Sequence, residues 1–267
     1  MRNHIPGSDP AGQQAEDRTA VMGTSIVVTS GKGGTGKSSF TVGVASCLAA
    51  MGKEVLCIDM DFGLRNLDLS LGVADAALMD VTDVLQGRCP LERAVVRQPR
   101  LEHLSLLPAP ATRPPAPLDR DAMKTLMKQV RQSYDFCFLD CPAGIGSGFT
   151  LAVSGADQAV VVANPDPITI RAAQAAVYQL RDEKIPARLA VNRITRRILR
   201  RLDTNIDDAM DTLGLPLIGI IPEDPYVTLA ASQGSPLILS RSRGAARAYY
   251  NIAKRLLGQR VPPMRIR

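Results

Sequence analysis

The run Gly31-Lys32-Gly33-Gly34-Thr35-Gly36-Lys37-Ser38 sets a lysine and a hydroxyl directly after a glycine-rich stretch. It satisfies the pattern G-x-x-x-x-G-K-[ST], in which glycines let successive backbone N–H groups turn inward around phosphate oxygens. An apolar run, Ser25–Ser30, precedes it and a helical pattern comes after it. The positive end of that helix adds to the same concavity. Gly31, Gly33, Gly34, Thr35 and Gly36 are expected to cradle the phosphates of a nucleotide, with Ser39 just behind them. Lys37 is expected to reach the β- and γ-phosphates and Ser38 to place its hydroxyl on Mg²⁺.

Two further segments end apolar runs in carboxylates. Val55–Asp59 leads into Asp59-Met60-Asp61, and Phe136–Asp140 closes on Asp140 before Cys141-Pro142-Ala143-Gly144. In a doubly wound sheet the carboxyl ends of the strands lie beside the phosphate loop. A carboxylate there can orient water or hold Mg²⁺ through its water shell. Asp140 fits the Walker B pattern. The competing reading is local: Asp59, Asp61, Asn66 and Asp140 could serve only as turn and helix caps.

These residues need strands and helices to hold them. Strands are predicted at Ser25–Ser30, Val55–Asp59, Leu104–Pro108, Phe136–Asp140, Ala159–Ala163, Leu189–Asn192 and Leu217–Ile221. Helices are predicted at Ser38–Met51, Asp119–Gln132, Ile168–Glu183, Ile206–Leu213 and Ala245–Leu257, with Gly52 ending the first and Asp119 capping the second. Strand and helix in alternation imply an α/β fold: a doubly wound, mostly parallel sheet flanked by helices, as in P-loop NTPases. The proline-rich Pro108–Pro117 reads as a rigid surface loop rather than a linker.

Composition agrees. The chain has 267 residues, 45% of them hydrophobic and only 4% aromatic, so its core must be aliphatic. Cys47, Cys57, Cys89, Cys137 and Cys141 are odd in number and irregular in spacing, and the only histidines are His4 and His103. A disulfide framework and a zinc site are not expected, and reduced thiols in a cytoplasmic protein are the simplest reading. No window is apolar enough for a transmembrane helix, and the polar N-terminus lacks the apolar core of a signal peptide. Residues 1–23 are read as a disordered extension, 24–258 as one ATPase domain, and 259–267 as a short basic tail containing proline. The net charge is +6, no acidic residue occurs after Asp224, and Arg193, Arg196, Arg197, Arg200 and Arg201 form a second basic run. Either could face nucleic acid, anionic lipid or nothing in particular.

Lys32 sharpens the reading. The motif K-G-G-x-G-K-[ST] resembles the deviant Walker A family of P-loop ATPases, and the resemblance runs from about Thr24 to Pro262. It implies ATP and Mg²⁺ as ligands, and a homodimer formed with ATP in which Lys32 reaches the partner's nucleotide. The stretch Asp59-Met60-Asp61-Phe62-Gly63-Leu64-Arg65-Asn66-Leu67-Asp68 is similar to switch I of the MinD branch. By that resemblance Asp61 positions the attacking water, Asp59 supports the Mg²⁺ shell and Asn66 contacts nucleotide or partner. Pro142–Ile145 resembles switch II. Asn192, Pro222 and Asp224 fall where the family reads the adenine base. The MinD branch further implies slow hydrolysis and control of septum placement. Its partners would be a MinC-like division inhibitor and a MinE-like or equivalent topological regulator. Its location would be cytoplasmic, at times peripheral at the inner face of the cell membrane. The branch usually ends in a short amphipathic insertion helix. Here Gly258 closes the last predicted helix, and Pro262-Pro263 keeps the remaining tail from forming another. Contact with a membrane surface is therefore expected to be weak or to run through an adaptor. A ParA-like DNA-partition role, a flagellar-number role and an ATP-gated scaffold with little hydrolysis are the rivals. DNA is the less expected partner.

Overall fold

The computed structural model describes residues 22–74, 76–112, 114, 118–195, 197, 206–262 and 264. Among them, eight strands form one sheet: β1 (Thr24–Thr29), β2 (Val55–Asp59), β3 (Val96–Arg97), β4 (Leu104–Leu107), β5 (Phe136–Asp140), β6 (Gln158–Ala163), β7 (Ala187–Ile194) and β8 (Leu217–Pro222). Their order is β3-β4-β2-β5-β1-β6-β7-β8. Every described pairing is parallel except β3 with β4. The chain winds outward from β1 to β2 and β4, returns to β5, and then builds β6, β7 and β8 on the other side. The turn in direction falls at β1, so the loop after β1 opens into the crevice where such sheets bind ligands.

The strands read as continuous apolar runs because both faces are covered. Successive residues alternate between two cores. Val27, Leu56, Ile58 and Leu139 enter one, and Ile26, Val28, Val55 and Cys57 enter the other. Among the described residues, the helices are α1 (Lys37–Ala50), α2 (Leu67–Leu71), α3 (Val81–Leu85), α4 (Leu91–Ala94), α5 (Arg120–Ser133), α6 (Ser147–Ser154), α7 (Pro167–Asp182), α8 (Ile206–Leu213), α9 (Pro225–Ser232) and α10 (Ala245–Leu256).

Local chemistry sets several boundaries. Asp166 caps α7 by accepting from the Thr169 N–H at 2.9 Å, and Pro167 occupies the first helical position. Asp119 caps α5 by accepting from the Asp121 N–H at 2.9 Å. Helix α1 packs against α10 through Gly43, where an added Cβ would fall 2.4 Å from the Tyr249 ring. Tyr249 in turn meets Phe40 edge-on at 6.5 Å between centroids. The helix bearing the phosphate-loop lysine is thus wedged by a buried aromatic.

The structure adds elements to those predicted and moves some of their bounds. The two-residue strand β3 and the helices α2, α3 and α4, of four or five residues, are too short for periodicity to single out, and the eight-residue α6 and α9 are not predicted either. Strand β7 extends two residues beyond its predicted span at each end. Gly23, placed by sequence in the N-terminal extension, lies against α5, where its N–H donates to the Arg131 carbonyl at 2.9 Å. The tail after Gly258 is also held: Arg255 donates to the Val261 and Pro262 carbonyls, each at 3.0 Å. Residues 1–21, together with Arg196, Arg200 and Arg201, lie outside the described residues.

Candidate functional site

The loop between β1 and α1 is supported from below at two points. Gly36, at φ 92°, opens α1, and an added Cβ there would sit 2.3 Å from the Asn192 amide nitrogen. That amide donates to the Thr35 carbonyl at 2.7 Å, so the end of β7 props the loop. At Gly31 an added Cβ would fall 1.9 Å from the Ala172 carbonyl carbon in α7. The top of the loop is open: Lys32, Gly33 and Gly34 are exposed, and nothing lies within 4 Å of where a Gly34 Cβ would stand. Lys37 is buried at the first turn of α1. The loop is thus a cradle with open backbone above, a lysine at the helix start and no carboxylate in that helix's first turn.

Asp140 lies beneath the cradle. The Ser38 hydroxyl donates to its Oδ2 at 2.6 Å and the Thr41 hydroxyl to its Oδ1 at 3.0 Å. Burial is the main cause that raises the Asp140 pKa to about 6, while the Ser38 and Thr41 hydroxyls and Lys37 pull it back. Asp59 stands beside it on β2. Its Oδ1 accepts from the Asp61 N–H at 2.9 Å, and its Oδ2 from the N–H groups of Asn66 and Leu67 at 3.1 and 3.2 Å. Burial first, and then the charge of Asp140, raise Asp59 to about 7. Asp59 therefore organises the turn that carries Asp61 and starts α2. Asp61 is half-buried on that turn, close enough for its charge to raise both buried carboxyls.

The remaining sequence candidates are spread around this centre. Lys32 extends from the loop top, and its charge helps to lower the Asp166 pKa. In that group burial works upward but is outweighed, chiefly by the Thr169 hydroxyl and N–H. Ser39 is half-buried behind the loop. The Asn66 side chain is exposed and its N–H is taken by Asp59. Pro222 ends β8 opposite Ile194. The Asp224 carboxylate bridges two helix starts, accepting from Tyr226 N–H in α9 at 3.1 Å and from Ala245 N–H in α10 at 2.9 Å. The carboxylate of Asp224 is thereby occupied, and the Asn192 amide is turned towards Thr35.

Thr41 escaped the sequence reading. It sits three residues after Ser38, one turn along the same helix face, and that spacing is its signal. Asp166 carried a signal too, the Asp-Pro-x-Thr start of a capped helix.

The donor set fits a nucleotide with Mg²⁺. Ser38, Asp59 and Asp140 offer the hard oxygens that suit Mg²⁺. Among the described residues no cluster of three or more His, Cys, Asp or Glu side chains could hold a metal unaided.

Comparison with known proteins points the same way. A family described as AAA domain matches residues 23–184. The septum site-determining protein MinD of Bacillus subtilis (strain 168) is 39% identical over 245 residues, spanning 90% of this chain and 91% of that protein. The MinC:MinD cell division protein complex of Aquifex aeolicus contains a chain 38% identical, with TM-score 0.84, covering 91% of this chain and 99% of that one. The MinD of Pyrococcus horikoshii OT3, complexed with Mg-ADP, is 30% identical with TM-score 0.78, covering 88% and 96%.

Proposed function

The chain belongs to the MinD family of AAA-domain ATPases, and from that premise we propose that it hydrolyses ATP with Mg²⁺, dimerises around the nucleotide and regulates placement of the division septum. The observation that carries the reading is the Ser38 hydroxyl held 2.6 Å from the buried Asp140 carboxylate, directly under an open glycine cradle. When bound, Mg²⁺ would be held by Ser38, with Asp140 and Asp59 behind its water shell, and would neutralise phosphate charge. Lys37 binds the β- and γ-phosphates. Asp61, on the turn set by Asp59, positions the attacking water. Asn66, Asn192, Pro222 and Asp224 border the rest of the nucleotide, with Asn192 acting through the loop backbone.

Lys32 reaches into the partner's site in the ATP-bound homodimer. That dimer is the form that recruits a MinC-like division inhibitor, a partner supported by the likeness to the Aquifex complex. A MinE-like regulator, or an equivalent, accelerates hydrolysis. No helix among the described residues is long and apolar enough to cross a membrane. The protein acts in the cytoplasm and reaches the membrane surface weakly or through an adaptor.

The test separates binding from chemistry. Lys37→Ala should abolish ATP binding with Mg²⁺. Asp61→Ala should keep binding and lose about 10²-fold in turnover, because it acts on water in the transition state. Wild-type turnover by Asp61→Ala would remove Asp61 from this role.

A further inference from the structure

The neighbouring carboxylates Asp59 and Asp140 are held by different kinds of donor. Asp59 accepts from three backbone N–H groups of the turn that follows it. Asp140 accepts from two hydroxyls of α1, Ser38 at Oδ2 and Thr41 at Oδ1. The two hydroxyls differ in access. Ser38 is half-buried at the floor of the cradle, and its oxygen is the one a metal would also take. Thr41 has no exposed surface and lies about one turn deeper in the helix. Its bond to Asp140 has no competitor from the ligand side.

The position of the Thr41 donor is fixed from several sides. A threonine hydroxyl inside a helix commonly bonds the carbonyl one turn back. Thr41 has a single hydroxyl proton, and it goes instead to Asp140, 99 residues away in the sequence. Branching at Cβ restricts the side chain to few rotamers. Phe40 and Val44 beside it are fully buried, and Gly43 seats α1 against the Tyr249 ring. The helix therefore cannot slide to withdraw the donor. Oδ1 is tied down, and Oδ2 is the oxygen left turned towards Ser38 and the cradle.

We propose that Thr41 is a positioning residue for the metal: by holding Oδ1 it aims the Asp140 carboxylate at the water shell of Mg²⁺, and so favours Mg²⁺ over a larger cation such as Ca²⁺. The inference rests on the reading of Asp140 as a carboxylate behind that water shell. One hydrogen bond, from Ser38 to Oδ2, would leave the carboxylate free to turn about its Cβ–Cγ bond. A second bond, to the other oxygen, stops that rotation. Aim matters most for Mg²⁺, which demands near-ideal octahedral geometry and keeps several of its waters. Ca²⁺ accepts irregular geometry and gains less from a fixed carboxylate. Partners that orient a metal's ligands in this way are worth about 10- to 100-fold in metal affinity.

The test is equilibrium binding of fluorescently labelled ADP to the full chain in EDTA, in Mg²⁺ and in Ca²⁺ at matched ionic strength, which needs no turnover. Wild type should bind more tightly with Mg²⁺ than in EDTA. Thr41→Val keeps the side chain's shape and removes the donor. It should lose about 10-fold of the gain that Mg²⁺ gives. Its affinity in EDTA should stay close to wild type, and its gain from Ca²⁺ should fall less than its gain from Mg²⁺. Thr41→Ser keeps the hydroxyl and loses a buried methyl, so it should melt below wild type yet retain the Mg²⁺ gain. A role in packing alone would give the reverse order, with Val better than Ser. A full Mg²⁺ gain in Thr41→Val would overturn the proposal. So would affinity that falls equally in all three buffers, or Thr41→Ser losing the Mg²⁺ gain as Thr41→Val does. Wild type that gains nothing from Mg²⁺ would instead overturn the reading of the site itself, and this inference with it.

Discussion

Asp59 and Asp140 are direct cross-strand partners at the carboxyl ends of β2 and β5, and both are buried. Burial raises the pKa of both groups; the charge of Asp140 adds to it at Asp59, and the charge of Asp61 adds to it at Asp140. Hydroxyl and N–H donors from Ser38, Thr41, Asp61, Asn66 and Leu67 compensate only in part. The site therefore holds negative charge at a cost when no cation is present, and that cost should be visible in stability.

The first prediction comes from linkage. Both folded-state values, about 7 for Asp59 and about 6 for Asp140, lie above the ordinary 3.8. The native state then binds more protons than the unfolded state between about pH 4 and 7. Their contribution is most favourable below the ordinary value and is lost as pH rises through the folded values. For Asp140 alone the loss is on the order of 3 kcal/mol. Asp140→Asn keeps the shape and removes the charge. With nucleotide and metal removed, this variant should melt several degrees above wild type at pH 8 and close to it at pH 5. It should also lose ATPase activity. A variant less stable than wild type at pH 8 would contradict the electrostatic account.

The second prediction concerns Lys32. Its side chain is exposed at the top of the loop, next to the half-buried Asp166. It is free of the packing that holds Lys37. If Lys32 completes a partner's site, the wild-type chain should sediment as a monomer with ADP and as a dimer with ATP when Asp61→Ala blocks hydrolysis. Adding Lys32→Ala should leave a monomer with either nucleotide, while ATP binding to that monomer falls less than about 10-fold, since Lys37 remains. The same mass with ADP and with ATP in the parent chain would end the dimer reading.

The sheet was legible in the sequence because its strands are buried on both faces and read as continuous apolar runs bounded by glycine or Asp. The phosphate loop was legible because its glycines, lysine and hydroxyl keep fixed spacing. Strand β3 was not, since two residues cannot show a period. The setting of Asn192 and Asp224 was hidden for a different reason. Each is placed by a contact distant in sequence, Asn192 under Thr35 and Asp224 across to Ala245. Nothing within a few residues of Asn192 reveals its partner, and the Asp224-Pro225 start of α9 signals only the local bond to the Tyr226 N–H, not the second one to Ala245. Thr41 and Asp166 lie between these cases, since their partners are local and their spacing could have been read.

The last prediction uses the prop under the phosphate loop. Gly36 and Asn192 occupy one small space: the amide that donates to the Thr35 carbonyl stands 2.3 Å from where a Gly36 Cβ would be. Gly36→Ala must therefore both strain a residue at φ 92° and displace the amide. Asn192→Ala removes the same hydrogen bond and leaves the buried Thr35 carbonyl without that donor, costing about 1–3 kcal/mol. The two substitutions destroy one interaction twice, so their effects should not add. The double variant should be more stable than the sum predicts by about 1–2 kcal/mol, the clash being gone once the amide is gone. The cost left in the double variant is the backbone strain at position 36. Gly31→Ala provides the contrast, because its Cβ would meet the backbone of Ala172, which truncating Asn192 cannot move. The pair Gly31→Ala with Asn192→Ala should therefore add. Denaturant melts of these single and double variants against wild type make the measurement. Simple additivity for Gly36 with Asn192 would show that the amide does not prop the loop.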